Sequence, residues 1–320
     1  MSALPGQAQA NSPVTLRALI ESSAHRLEEA QVAFGHGTTN AFDEAAWLVL
    51  WRLGLPLDTP LDGDNSQENM PVARANIDDV ATLLEARIST RKPAAYLTHE
   101  AWLQGVSFYV DERVIVPRSL IAEVIADGSI DYWLSHTTRC VLDLCTGNGS
   151  LAVIAALTYP ETNVTGADLS PDALAVARIN VERHALQDRI TLLESDGLRA
   201  PALLAQGPFD LILCNPPYVN AQSMAALPAE YQAEPVLALA GGADGMDFVR
   251  MLLSEVPTVM APGSVLVLEI GNERDFFEAA FPGLEVVWLE TSAGGDQVLV
   301  VTREALVSLL RGAKPGERGE

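Results

Sequence analysis

Short apolar runs and helical patterns alternate regularly from residue 119 to near the C-terminus of this chain. Helices are expected over 120–135, 150–158, 171–184 and 246–260, and strands over 140–144, 163–167, 190–194, 209–213, 264–270, 284–289 and 297–301. Parallel strands joined by helices form a sheet that is covered on both faces. The pattern therefore predicts an α/β fold with a doubly wound, mostly parallel sheet.

The N-terminal part of the chain has a different pattern. Apolar residues recur at helical spacing over 14–34, 41–52 and 72–90, separated by a polar, Pro-containing loop over 58–70. Two extended runs on either side of Gln104-Gly105 predict a β-hairpin. We therefore expect a small helical domain over 1–94, a hairpin linker over 95–118, the α/β domain over 119–312 and a disordered tail over 313–320.

The charge of the chain restricts its partners. The net charge is −22, whereas a protein that binds nucleic acid directly normally presents a basic face. A basic protein partner, such as a ribosomal protein, fits the charge better. An equally simple alternative to a basic partner is that the acidity only keeps the protein soluble, because net charge informs on association and not on fold.

The cysteine spacing and the length of the apolar runs indicate in which cellular compartment the protein is expected. Cys140, Cys145 and Cys214 lack the paired spacing of zinc sites or disulfides, so we expect reduced thiols in the cytoplasm and no metal site. Residues 1–12 lack the charged and then apolar pattern of a signal peptide. No apolar run approaches the roughly 18 residues of a membrane span, and no membrane association is expected.

A glycine-containing turn follows the expected strand at 140–144. The strand carries Asp143 and leads into the turn Cys145-Thr146-Gly147-Asn148-Gly149. Glycines at such a turn let the backbone approach a ligand closely. The third glycine of a dinucleotide fingerprint is absent, because Ala152 occupies that position. The turn therefore favours a nucleotide-like ligand without a pyrophosphate.

Acidic residues end the next two strands. Asp168, followed by Leu169, stands where a carboxylate can accept both hydroxyl groups of a ribose. Asp196-Gly197 supplies a further polar turn on the same sheet edge. Each position alone is compatible with ordinary turn chemistry. Their order along successive strands favours an adenosine-containing ligand, and S-adenosylmethionine fits this description.

Two prolines follow the strand expected at 209–213, in the tetrapeptide Asn215-Pro216-Pro217-Tyr218. Prolines end a strand abruptly. They leave the Asn215 amide, two proline carbonyls and an aromatic ring at the carboxyl end of a strand, where open α/β sheets bind their ligands. Such a site suits a planar, amide-like nitrogen, and the exocyclic amine of a nucleic-acid base would also fit.

These motifs resemble those of the class I methyltransferases that act on glutamine side-chain amides of translation proteins, the protein-(glutamine-N5) methyltransferases. The resemblance rests on the turn at 143–149, Asp168, the tetrapeptide at 215–218, and the run from Glu234-Pro235 to Gly245. The segment 108–119 is similar to the branch that modifies the third protein of the large ribosomal subunit. The release-factor branch usually has Arg-Pro-Glu-Thr-Glu where this chain has residues 118–122.

The resemblance implies a class I fold with an antiparallel C-terminal strand, S-adenosylmethionine as cofactor, and substrate recognition by the N-terminal helices and the hairpin. The residues expected to contact the cofactor are Asp143, Cys145, Thr146, Gly147, Asn148, Gly149, Asp168, Leu169, Asp196, Gly197 and Asn215. We expect Asn215 and the carbonyl of Pro216 to accept the two hydrogens of the glutamine amide. Tyr218 would stack on the amide plane, and Pro217 would keep the loop rigid. Cys145 is expected to contribute backbone contacts and not a nucleophile, because no base accompanies it.

Three alternatives stay open on the sequence alone. The same chemistry could act on release factors or on the amine of a nucleic-acid base. A non-catalytic assembly factor could also use this fold as a scaffold, since a fold alone does not establish an activity.

Overall fold

The computed structural model describes residues 13–312. The described residues do not include 1–12, where a polar N-terminus without a signal pattern was expected. They also do not include 313–320, where a disordered tail was expected. By internal contacts the chain divides into two compact units at Thr98/His99. None of the helices within residues 13–312 is long and apolar enough to cross a membrane.

The first unit is helical. Its helices are α1 (Leu16–Glu29), α2 (Ala41–Leu53), α3 (Arg74–Thr90) and the short α4 (Ala94–Thr98). Side-chain oxygens of Thr15 and Asn40 cap α1 and α2 by accepting backbone N–H groups. Helix α1 is shorter than the expected 14–34, because the chain turns at Gln31, whose φ is +51°. The short α4 occupies residues that we expected to belong to the hairpin segment.

The second unit contains all the strands, which are β1 (Ala101–Leu103), β2 (Val106–Phe108), β3 (Cys140–Leu144), β4 (Asn163–Asp168), β5 (Ile190–Glu194), β6 (Phe209–Cys214), β7 (Met260–Glu269), β8 (Val287–Thr291) and β9 (Gly294–Thr302). Strands β1 and β2 form the expected hairpin, in which Gln104 and Gly105 both have positive φ, as a tight two-residue turn requires. The other seven strands form one sheet.

The order of that sheet is β5-β4-β3-β6-β7-β9-β8. Strands β3 to β7 are parallel, whereas β9 runs antiparallel to both of its neighbours. The expected doubly wound α/β sheet with an antiparallel C-terminal strand is therefore confirmed. Connections from β3 proceed toward one edge and those from β6 toward the other, so the topological switch point lies between β3 and β6.

Helices cover both faces of this sheet, as its buried residues require. Val141 belongs to the apolar core on one face, and Leu142 and Leu144 belong to the core on the other. The helices are α5 (Ile121–Ala126), α6 (Ser150–Thr158), α7 (Pro171–Arg183), α8 (Pro201–Leu204), α9 (Ala221–Ala226), α10 (Ala229–Gln232), α11 (Asp247–Glu255), α12 (Arg274–Ala280) and α13 (Arg303–Gly312).

In the second unit, two helices are much shorter than expected. The helix expected over 120–135 stops as α5 at Ala126, because Gly128 adopts a φ of +76° and a short 3₁₀ turn follows. The helix expected over 246–260 stops as α11 at Glu255, since Pro257 has no N–H to continue it. Helices α4, α8, α9, α10, α12 and α13 were not predicted from the sequence.

Candidate active site

A cleft opens at the switch point between β3 and β6, on the carboxyl edge of the sheet. Leu144 and Cys214 are paired in register, so the chain leaves both strands side by side. Cys145 and Asn215, the next residues, both line the cleft. The structure therefore brings together the two motifs that are 70 residues apart in sequence.

The loop after β3 forms the floor of one half of the cleft. Cys145, Thr146, Gly147 and Asn148 line it, whereas Gly149 does not. The loop is tight: φ is +62° at Cys145 and +55° at Gly147, and the Thr146 N–H donates to Ala167 of β4 at 3.0 Å. The Nδ2 group of Asn148 is buried and has no hydrogen-bond partner within residues 13–311.

Asp143 lies beneath this loop and is not among the residues that line the cleft. Its Oδ2 accepts hydrogen bonds from Thr146 Oγ1 at 2.5 Å and from the Ala152 N–H at 2.9 Å, so it holds the loop against α6. Burial raises the pKa of Asp143 to about 7, against the opposing effect of those two bonds. Its Oδ1 has no partner among the described residues.

The ends of β4 and β5 complete this half of the cleft. Asp168, Leu169, Asp196 and Gly197 all line it, as expected for a nucleoside site. Asp168 accepts hydrogen bonds from the backbone N–H groups of Gly147 and Ser170, each at 2.9 Å. Burial raises the pKa of its carboxyl group above the ordinary value.

The tetrapeptide after β6 forms the wall of the second half. Asn215 and Pro217 line the cleft, and Pro216 is buried behind them. Asn215 is half-buried, and its side chain makes no hydrogen bond with any residue in the described part of the chain. An amide with free donors and an acceptor at the edge of a cleft is ready to bind a ligand.

Tyr218, for which stacking on a bound amide was expected, contacts protein groups through both its ring and its hydroxyl. It is not among the cleft-lining residues. Its ring lies against Gly271, where a side chain would collide with it, and its hydroxyl donates to Glu269 Oε1 at 3.0 Å. Burial, followed by the charge of Glu269, raises the pKa of this phenol well above its usual range.

The run from Glu234 to Gly245 folds back beside the tetrapeptide. Val219 exchanges backbone hydrogen bonds of 2.9 Å with Leu239 and Gly241. A side chain at Gly241 or Gly245 would meet the backbone of Tyr218, which explains why this run is rich in glycine. The motif therefore braces the loop that carries Asn215.

Arg118 and Glu234 belong to the segments that carry the family resemblance, but no role was predicted for them from the sequence; the structure pairs them. Two guanidinium nitrogens of Arg118 donate to the two carboxylate oxygens of Glu234, at 2.6 and 2.7 Å. The Val116 N–H also donates to Glu234, at 2.9 Å. Arg118, Ser119 and Pro235 line the cleft, so this bidentate ion pair joins two segments of its wall.

Glu269, at the end of β7, was missed altogether. It is almost fully buried, and its Oε2 accepts hydrogen bonds from Ser119 Oγ at 2.6 Å and the Leu120 N–H at 2.9 Å. Burial raises the pKa of its carboxyl group above the ordinary value. A glutamate at the end of an otherwise apolar strand, 265–270, was the signal that could have identified it.

Comparison with known proteins agrees with this geometry. Residues 130–234 match the family model described as methyltransferase small domain. Among solved structures, the hMettl16 catalytic domain in complex with a MAT2A 3′UTR hairpin overlays with a TM-score of 0.48 at 14% identity, covering 71% of this chain and 81% of that chain. That likeness is too low to carry an argument.

Sequence relatives are much more similar. The chain is 51% identical over 294 residues to the ribosomal protein uL3 glutamine methyltransferase of Bordetella pertussis, covering 91% of this chain and 96% of that protein. The proteins of the same name from Burkholderia pseudomallei and Neisseria meningitidis are 50% and 45% identical, covering 90% and 92% of this chain and 94% of each relative. The chain therefore belongs to the ribosomal protein uL3 glutamine methyltransferase family.

Proposed function

We propose that this protein transfers a methyl group from S-adenosylmethionine to the N5 nitrogen of a glutamine side chain in ribosomal protein uL3. One observation carries the proposal: the unpartnered amide of Asn215 lies beside the Cys145–Asn148 turn at the switch point of the sheet. A group that recognises an amide is thus adjacent to a turn that suits a nucleoside.

The residues of the first half of the cleft suit the cofactor. Asp168 is proposed to accept the ribose hydroxyls, and this assignment is supported by its position in the cleft lining together with Leu169, Asp196 and Gly197. The buried, unpartnered Nδ2 of Asn148 can donate to an acceptor of the ligand. When bound, S-adenosylmethionine supplies an electrophilic methyl group on its sulfonium.

Asn215 and Pro216 are assigned the orientation of the acceptor. An amide nitrogen is a poor nucleophile because its lone pair is delocalised into the carbonyl group. The Asn215 Oδ1 atom and the Pro216 carbonyl are proposed to accept its two hydrogens, which directs the nitrogen and opposes this delocalisation. Pro217 restricts the loop, so less conformational entropy is lost when substrate binds.

Tyr218 is assigned to anchoring that loop, because its hydroxyl and ring are both engaged away from the cleft. Its stacking on the amide plane stays a prediction. No general base is required, since the surplus proton can leave to water after the methyl group has moved.

The remaining assignments concern the partner. The charge of −22 supports a basic protein substrate and no direct binding to nucleic acid. We propose that the N-terminal helices, within the expected domain 1–94, recognise uL3. We also propose that the enzyme works in the cytoplasm, where ribosomal proteins are made.

The test is a methyl-transfer assay with the purified chain, labelled S-adenosylmethionine, and recombinant uL3, a release factor and RNA as separate acceptors. We expect labelling of uL3 alone, at a glutamine that gains one methyl group by peptide mass spectrometry. Labelling of RNA or of the release factor in place of uL3 would contradict the assignment.

A further inference from the structure

We propose that Glu269 is a positioning residue of the acceptor half of the site, acting through Tyr218. The inference rests on the proposed function and deepens it. Glu269 does not line the cleft, and both of its carboxylate oxygens already accept hydrogen bonds from protein groups. Its carboxylate instead receives hydrogen bonds from two segments that lead into the cleft wall, those of Tyr218 and of Ser119-Leu120.

The first argument is the kind of partner that Glu269 has. Buried charges are usually paired with an opposite charge, as Glu234 is with Arg118 and Glu44 with Arg87. Within the described residues no cation pairs with Glu269, and its donors are two hydroxyls and one backbone N–H. A buried carboxylate held by neutral donors is costly to keep in a core, so a geometric role accounts for it better than stability does.

The second argument is how completely the end of β7 fixes Tyr218. Glu269 holds the phenol oxygen, while Gly271, two residues later, has a φ of +55° and leaves the space that the ring occupies. A side chain at Gly271 would collide with that ring. Both ends of the Tyr218 side chain are therefore located by one strand end, and Tyr218 in turn ends the rigid Asn215–Tyr218 tetrapeptide.

The third argument is the connection to the opposite wall. Ser119 lines the cleft and donates to the same carboxylate as Tyr218, although the two residues are far apart in sequence. One carboxylate thus sets the separation between the loop that carries Asn215 and the wall that carries Arg118. A misplacement of about 1 Å in such a site can lower a rate by roughly a hundredfold.

The test compares Glu269→Gln, Tyr218→Phe and the double variant in full-length protein, with recombinant uL3 and S-adenosylmethionine. Glutamine can keep the bonds to Ser119 and Leu120, but its NH₂ group can only donate to the Tyr218 oxygen, so the phenol can no longer donate to residue 269 and the hydrogen bond is reversed. We expect each single variant to lower kcat by roughly tenfold to a hundredfold, with the Kd for S-adenosylmethionine unchanged by calorimetry. The double variant should be no slower than the slower single variant, because both changes act on the same hydrogen bond between residues 218 and 269.

Glu273→Gln is the matched control, since Glu273 is also buried and accepts a hydrogen bond from Asn220 at 2.8 Å. It should keep wild-type kcat. The inference is overturned if wild-type protein methylates uL3 and Glu269→Gln does so at the same rate, if the two single effects multiply, or if cofactor binding falls together with kcat.

Two further outcomes are distinguished from a failure of this inference alone: misfolding of Glu269→Gln, and a lack of activity in the wild-type protein. If Glu269→Gln does not fold, Tyr218→Phe alone decides, because it removes one hydroxyl and must still show the loss in kcat. If wild-type protein transfers no methyl group to uL3, the proposed function fails and this inference fails with it.

Discussion

The two halves of the cleft are constructed in different ways. The cofactor half consists of consecutive strand ends, those of β3, β4 and β5, and its loops are held by bonds between near neighbours such as Asp143 and Thr146. The acceptor half is assembled from segments around Arg118, Asn215, Glu234 and Glu269, which are tied across the fold by side-chain carboxylates. One half is therefore local in sequence and the other depends on long-range contacts.

Because of this difference, binding of the cofactor and orientation of the substrate amide depend on different parts of the molecule. A ligand held by backbone turns tolerates changes elsewhere in the molecule, because the turn after β3 is stabilised by its own residues and by the end of the adjacent strand β4. An acceptor site that depends on two buried carboxylates responds to changes that never touch the substrate. We therefore expect cofactor affinity and turnover to be affected by separate sets of residues.

The largest expected effect comes from Asn215→Ala. It removes the side chain that we assign to amide recognition, so kcat on uL3 should fall by roughly a thousandfold. The Kd for S-adenosylmethionine, measured by calorimetry, should stay within about twofold because the β3 loop is intact. Asn163→Ala, an exposed amide at the opposite edge of the sheet, is the control. Loss of cofactor binding in Asn215→Ala would remove the distinction between the two halves.

The buried Asp143 gives the cofactor half a dependence on pH. Its pKa in the folded protein is about 7, above the ordinary value, so between roughly pH 4 and pH 7 the folded state binds a proton that the unfolded state has released. The contribution of Asp143 to the free energy of unfolding is therefore largest at low pH, where the carboxyl group is neutral, and is lost as the pH rises toward 7.

Denaturant unfolding at pH 5 and pH 8 checks this sign. Relative to Asp143→Asn, the wild-type protein should lose up to a few kcal/mol of unfolding free energy between those two values. An equal pH dependence in both proteins would mean that Asp143 does not titrate in this range. Cys145→Ser, which changes the adjacent turn but keeps Asp143, is the control and should retain the wild-type pH dependence.

Asp168→Ala should affect the cofactor half alone. It removes the proposed acceptor of the ribose hydroxyls and leaves the Gly147 N–H without its bond. The Kd for S-adenosylmethionine should rise by roughly ten- to a hundredfold, while kcat at saturating cofactor stays within a fewfold of wild type. Asp172→Ala, an exposed carboxylate nearby in sequence, is the control. A fall in kcat at saturation would show that the halves are coupled.

The same division explains what the sequence could predict. The sheet, the hairpin and the turns after β3, β4 and β5 followed from periodicity and turn residues, because each depends on neighbours in the chain. Asp143 was predicted at the right place but belongs beneath the loop, since the pattern locates a residue on a strand and not its side-chain partners.

The acceptor half could not be predicted in the same way. Nothing within a few residues of Glu269 indicates that it meets Tyr218 and Ser119, 51 and 150 residues away. Helices α9 and α10 were missed because they are one or two turns long, too short for a helical period to be recognised. Long-range contacts and short helices are where local patterns carry least information.

Arg118→Lys has the smallest expected effect and probes the other long-range connection, between residues 118 and 234. Lysine keeps the positive charge but cannot donate to both oxygens of Glu234 in parallel, as Arg118 does at 2.6 and 2.7 Å. We expect kcat on uL3 to fall roughly tenfold with an unchanged Kd for S-adenosylmethionine. Arg274→Lys, whose ion pair with Glu278 is exposed and which does not line the cleft, should behave as wild type. If Arg118→Lys instead weakens cofactor binding, the wall formed by residues 116–119 belongs to the cofactor half, and the boundary between the halves must be moved.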